Sequence, residues 1–111
     1  EQFISGRVIG AQGAIGGTYG AMPELFLKMD EYVKAGQLDK ARKIQYAVNE
    51  IIYKMCSAHG NMYGVIKAIL KINEGLELGG VRKPLPSLTD EDAAIVEQAA
   101  SMIRTAKENY L

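Results

Sequence analysis

The feature that most constrains this chain is the run Ala11-Gln-Gly-Ala-Ile-Gly-Gly-Thr-Tyr-Gly-Ala-Met-Pro23, with glycine at 13, 16, 17 and 20. A backbone with so few Cβ atoms can adopt positive φ and lie close against another surface. Between the glycines sits a very short apolar pair, Ala14-Ile15, and a helix start follows at once. Thr18 or a neighbour can cap that helix, whose first-turn N–H groups face whatever lies ahead of it. A short strand opening into a glycine-lined mouth and then a helix is the repeating unit of a (β/α)₈ barrel, where function sits at the strand's C-terminal end. The same spacing also fits a flexible glycine loop between two helices, and spacing alone does not choose between them.

At 111 residues the chain has room for one small domain and its core. It falls far short of the ~250 residues of a complete (β/α)₈ barrel. Lysine plus arginine and aspartate plus glutamate each total 13, so the net charge is zero. That balance attracts neither a phosphate backbone nor an anionic membrane, and no nucleic-acid or membrane partner is expected. A single cysteine, Cys56, excludes an internal disulfide and suits a reducing, cytoplasmic compartment. No apolar run approaches the ~18–20 residues of a membrane span, and no secretory leader is expected.

The rest of the chain reads as helices with clear punctuation. The first runs from Gln2 to Ile9, with Phe3/Arg7 and Ile4/Val8 at i, i+4 and Gly10 as its stop. The second has Pro23 at its first position, Glu24 at the positive end of the dipole and Gly36 at its end. Its apolar stripe is Leu25, Met29, Tyr32 and Val33, flanked by Phe26. The longest covers roughly Leu38 to Ala58, on a stripe of Leu38, Ala41, Ile44, Val48, Ile51, Ile52, Met55 and Cys56. Asn61 caps a fourth, Met62 to Glu74, which carries apolar residues on most sides and is expected to be largely buried. Lys67 is the odd member there, and a lysine in such a setting snorkels to the surface. Leu76 to Leu88 is a loop, and Thr89 then caps a last helix through an acidic first turn, ending near Asn109.

Candidate chemistry is sparse. His59 is the only histidine, and Cys56 precedes it by three residues, nearly in line on one helical face. Two ligands do not make a zinc site and no carboxylate is spaced to complete one, so no metal is expected. Nucleophilic catalysis would need an exposed, activated thiol, whereas Cys56 falls on the apolar stripe and is expected to be buried. Glycines 10, 13, 16 and 17 do not form G-x-G-x-x-G and no Walker lysine follows, so no nucleotide cofactor is expected.

Glu1 to Tyr19 resembles the seventh helix, eighth strand and start of the eighth helix in the N-acetylneuraminate lyases, within the dihydrodipicolinate synthase superfamily. Gly36, Ala41, Gln45, Asn49 and Val65-Ile-Lys67 resemble that family's C-terminal helical extension, and Arg82-Lys-Pro-Leu85 its Arg-x-Pro-Leu element. The pattern Gly-Ala-x-Gly-x-Ile-Gly is shared across the superfamily, and the continuation Thr18-Tyr19 favours the sialic acid branch. The resemblance implies the C-terminal part of a (β/α)₈ barrel plus its extension. Residues 1–35 would form the last βα portion and residues 36–111 the extension, so this chain alone would be mostly α with one short strand. That strand has no partner within the chain, and is expected to pair with another copy, lose its strand character or fray.

The activity implied is that of a homotetrameric aldolase cleaving sialic acid to N-acetylmannosamine and pyruvate through a lysine Schiff base, with a tyrosine moving the proton. Neither of those residues is expected here, because the matched region begins after the seventh strand. Three pocket positions match: Glu1 for a glutamate that binds the sugar's glycerol tail, Gly17 where many members have a serine, and Tyr63 for an aromatic at the rim. Gly16, at the strand end, would let substrate approach the backbone. Two other readings remain at this point: another 2-keto acid aldolase or a dihydrodipicolinate synthase-like enzyme, and a free-standing helical interaction module.

Overall fold

The computed structural model describes residues 1–111. Five helices follow in order: α1 (Phe3–Val8), α2 (Pro23–Lys34), α3 (Leu38–Cys56), α4 (Met62–Glu74) and α5 (Ala93–Tyr110). Two single 3₁₀ turns, Gly17–Gly20 and Asp90–Asp92, lead into α2 and α5. No helix is long and apolar enough to cross a membrane.

Helix ends are set where glycine meets the required backbone. Gly10 has φ 106°, and behind it the Gly10 N–H donates to the Arg7 carbonyl and the Ala11 N–H to the Gly6 carbonyl. This is the paired closure of a Schellman stop, and Gly36 repeats it at the end of α2 with φ 71°. At the start of α4 the Asn61 side chain accepts from the Tyr63 N–H at 2.9 Å. Before α5, Thr89 and Asp92 close a capping box, as the acidic first turn leads one to expect.

The core is one cluster supplied mainly by α2 to α5. It gathers Leu25 and Met29 of α2, Ile44, Val48, Ile51 and Met55 of α3, Val65 and Ile69 of α4, and Ile103 of α5. α3 and α5 lie between α2 and α4, α3 as the main contact of α2 and α5 as that of α4. Ala99, Ala100 and Ala106 carry little side chain, which lets α5 lie close to its neighbours. Phe26 belongs to the core at 5% exposure, whereas Tyr32 and Val33 are only half-buried. In α4 the expectation of general burial is too broad, because Tyr63 and Ile72 face outward.

The short strand does not form. Ala11 to Gly16 has no strand or bridge, although Gly16 is extended at φ −163° and ψ 144°. A strand is held by a partner's N–H and C=O groups, and this chain supplies none to that segment. Thr18 also does not cap α2. It lies inside the 3₁₀ turn, accepting from the Ala21 N–H, and Met22 occupies the cap position without a side-chain bond.

The loop after α4 folds back on it. The Asn61 N–H donates to the Pro86 carbonyl at 2.9 Å, and a Cβ on Gly60 would lie 2.7 Å from the Leu88 Cα. Lys67 reaches outward as expected and donates to the Gly80 carbonyl at 2.7 Å, which ties the loop's middle to α4.

Candidate functional site

The largest concavity, about 420 Å³, lies between α1, the glycine run, Ile52 of α3 and the start of α4. Glu1, Gly16, Gly17 and Tyr63, the four positions singled out in the sequence, all line it. They come from three separate segments, so the fold brings together what the sequence spreads over 63 positions.

Its walls have identifiable supports. Phe3, Tyr19 and Phe26 form an aromatic group, with centroids 5.7 Å apart for Phe3–Phe26 and 4.0 Å for Tyr19–Phe26. That group fixes the 3₁₀ turn against α1 and α2. Burial pushes the Tyr19 hydroxyl above its ordinary range, with the Glu1 charge acting in the same direction. Arg7 donates through Nε to Asp30 Oδ1 at 2.6 Å and also to the Ala11 carbonyl, joining α1, α2 and the glycine run. Lys34 and Arg7 together hold the Asp30 carboxyl below its usual range.

Gly16 and Gly17 do not take positive φ, and each is crowded by a neighbouring aromatic ring. A Cβ on Gly16 would lie 2.8 Å from the Tyr19 ring, and one on Gly17 would lie 2.9 Å from Tyr63 Cε1. Both rings therefore occupy space that any larger residue would claim. Gly13, by contrast, has nothing within 4 Å.

The Cys56–His59 pair corrects the sequence reading. Cys56 is exposed, because Met55 takes the core position and Cys56 points about 100° further round the helix. His59 lies beyond the end of α3, in the turn before α4. Its Nδ1 is 3.2 Å from Asp92 Oδ1 and its Nε2 3.8 Å from Glu91. No group of three His, Cys, Asp or Glu side chains is close enough to hold a metal ion.

Two polar devices escaped the sequence reading. Asp92 is fully buried and accepts from the backbone N–H groups of His59 (2.7 Å), Gly60 (3.0 Å) and Thr89 (2.9 Å). These donors, Thr89 foremost, hold its carboxyl well below the usual carboxylate range. The acidic first turn signals a cap, but nothing local signals that one member also closes a turn 33 residues upstream. The second device is Gln45, 6% exposed within the apolar stripe of α3, whose carbonyl accepts from the Ile4 N–H at 3.2 Å. A polar residue on a buried face was its available signal.

Residues 1–103 match the model of the dihydrodipicolinate synthetase family. The chain belongs to that family. Among its relatives, the N-acetylneuraminate lyase of Mediterraneibacter gnavus is 76% identical over all of this chain and 35% of its own length. The N-acetylneuraminate lyase of Rhizobium meliloti is 34% identical over 98% of this chain and 36% of its own. The solved structure of wild-type Ruminococcus gnavus sialic acid aldolase superposes with a TM-score of 0.98 at 75% identity, over 99% of this chain and 36% of that one. This dihydrodipicolinate synthetase family chain thus spans about a third of the length of the curated relatives it matches.

Proposed function

We propose that this chain is the C-terminal segment of a Schiff-base aldolase that cleaves N-acetylneuraminate to N-acetylmannosamine and pyruvate. In this reading residues 1–35 supply the seventh helix, eighth strand and eighth helix of a (β/α)₈ barrel, and residues 36–111 its helical extension. The observation that carries it is the superposition on the sialic acid aldolase at a TM-score of 0.98, with 75% identity. The exposed glycine run supports it too. Ile15 lies fully open to solvent beside backbone with no strand partner, as a barrel strand would without its neighbours.

The chemistry follows from the roles each part would take. A lysine elsewhere in the barrel condenses with the substrate's keto carbon, and the resulting iminium accepts the electrons released by C–C cleavage. A catalytic lysine variant exists among solved structures of the Ruminococcus gnavus aldolase. A tyrosine, also outside this chain, moves the proton. From this chain, Glu1 accepts hydrogen bonds from the glycerol tail, Tyr63 covers it at the rim, and Gly16 and Gly17 let sugar approach the backbone. The complete enzyme would be a cytoplasmic homotetramer.

The test separates this chain from the whole enzyme. Borohydride reduction in the presence of pyruvate should leave the mass of the isolated chain unchanged, and should add the reduced pyruvyl group to the complete enzyme. Mixing this chain with the upstream barrel segment should restore sialic acid cleavage, since the two bury complementary apolar surfaces. Pyruvate trapped on any lysine of the isolated chain would overturn the claim that the catalytic centre lies outside it. Absence of sialic acid cleavage by the complete enzyme, with turnover of another 2-keto acid, would shift the substrate and keep the mechanism.

A further inference from the structure

α1 is six residues long, buries no residue, and its N-cap Gln2 makes no side-chain capping bond. A helix of that length does not hold itself together in water. Its start nonetheless lies at the wall of the concavity, because Glu1, Gln2 and Phe3 all line it. Something outside α1 must fix that end.

Phe3 packs in the aromatic group and Ile4 against the core, and the polar ties to that end are two amides one turn apart on α3. Gln45 Oε1 accepts from the Ile4 N–H at 3.2 Å, taking the part of an N-cap from 41 residues away. Gln45 Nε2 donates to Asn49 Oδ1 at 2.9 Å, and Asn49 Nδ2 donates to the Glu1 carbonyl at 3.3 Å. Each amide uses both ends, so each dictates the other's orientation. Gln45 is 6% exposed among Ile44 and Val48, where an unpaired amide would be costly. The three bonds form one chain from the Ile4 N–H through both amides to the main chain of residue 1.

We infer that Gln45 and Asn49 are positioning residues that hold Glu1 at the mouth of the site, so that the helical extension sets tail recognition. The inference rests on Glu1 binding the sugar's tail, as proposed above. It assigns the extension a part in specificity that packing alone does not require. Only the main chain of Glu1 is held, which leaves its carboxylate free for a ligand.

The experiment is steady-state kinetics on the complete enzyme. Asn49→Asp keeps the acceptor for Gln45 but replaces the donor to Glu1 with a carboxylate facing a carbonyl. Asn49→Ala removes both bonds at a half-buried site and serves if the aspartate variant does not fold. Loss of one hydrogen bond's worth of placement should raise KM for N-acetylneuraminate about two- to tenfold with kcat nearly unchanged. KM for pyruvate in the condensation direction should not move, and Asn49→Gln, which retains both functions, should recover part of the loss. A purely structural role would instead lower kcat for both directions in step with Tm, and that result overturns the inference. Glu1→Gln is the control for the underlying reading. If it raises KM for sialic acid while Asn49→Asp and Asn49→Ala do not, the positioning role fails alone. If it leaves KM unchanged, the tail-binding role of Glu1 fails and the positioning role falls with it.

Discussion

The first twenty residues and the helical block behind them obey different rules. From Ala21 to Ala106 the apolar residues of α2 to α5 close on one another, and Met22, Leu25, Met29, Ile44 and Ile69 are wholly buried. In the leading segment, every residue from Val8 to Gly17 is exposed, including Ile9 and Ile15. The leading segment holds six of the twelve glycines, but both regions carry apolar side chains, so hydrophobicity alone does not separate them. What differs is whether the chain itself contains the covering surface. The block is a self-sufficient core with a site wall attached to it, while the leading segment is held to it by the aromatic group at Tyr19, the Arg7–Asp30 pair and the Gln45–Asn49 amides. Chemistry in the proposed aldolase would use the loosely covered side, and stability would come from the other.

Substitution to alanine should divide the two regions most sharply. Ile51, 1% exposed in the middle of α3, should cost about 2–5 kcal/mol when truncated in the isolated chain, from lost transfer energy and the cavity left behind. Ile15→Ala, at a position open to solvent, should change stability by no more than about 0.5 kcal/mol. Denaturant midpoints on both variants measure the contrast. Equal losses would mean that the glycine run is covered in solution, most simply by a second copy, and sedimentation would then show association. In the complete enzyme the contrast should narrow, because the proposed barrel would bury Ile15.

A smaller effect sharpens the same comparison through pH. The folded carboxyl of Asp92 lies below its unfolded value, so its contribution to stability is present above the unfolded value, near pH 4. It is lost as pH falls from there toward the folded value. Asp92 ties the α3–α4 turn to the start of α5, so acid should loosen the helical block at that junction. Asp92→Ala should lower Tm at pH 7 by roughly 4–8 °C for each kcal/mol lost, and should flatten the fall in Tm below pH 4. An unchanged acid profile in that variant would show that other carboxyls govern acid unfolding. Asp30, also held low by Lys34 and Arg7, is the next candidate, and it joins the two regions rather than stabilising one.

Helix identity and the stops at Gly10, Gly36 and Gly75 were legible because they are local: a periodic stripe and a residue able to take positive φ suffice. The candidate site was legible through resemblance, since only that connects Glu1 with Tyr63. Failures came where a partner outside the local sequence decides. Ala14-Ile15 has the pattern of a strand, but strand character belongs to the pair and not to the segment. Cys56 shares its stripe with Met55, and a one-residue difference in where the helix turns away from the core decides which is buried. Gln45 and Asp92 act across 41 and 33 positions, beyond any periodic pattern.

The smallest expected effect concerns Gly17, where the glycine run meets the helical block. A Cβ there would lie 2.9 Å from Tyr63 Cε1 and 3.6 Å from its hydroxyl, so a serine at 17 and the present Tyr63 ring compete for one space. Tyr63 is more than half exposed and can swing aside, so Gly17→Ser should cost little stability. In the complete enzyme, the new hydroxyl would gain or lose one neutral hydrogen bond with the sugar's tail, worth about 0.5–1.5 kcal/mol. The displaced ring would change its cover over the same tail. The kcat/KM for N-acetylneuraminate should therefore move roughly two- to tenfold, with KM for pyruvate unaltered. Because both residues share one space, Gly17→Ser and Tyr63→Ala should not add, and the double variant should lie closer to Tyr63→Ala than the product of the two effects. Strict additivity would mean that the ring and residue 17 do not meet in the complete enzyme, and the wall between the two regions would then have to be redrawn there.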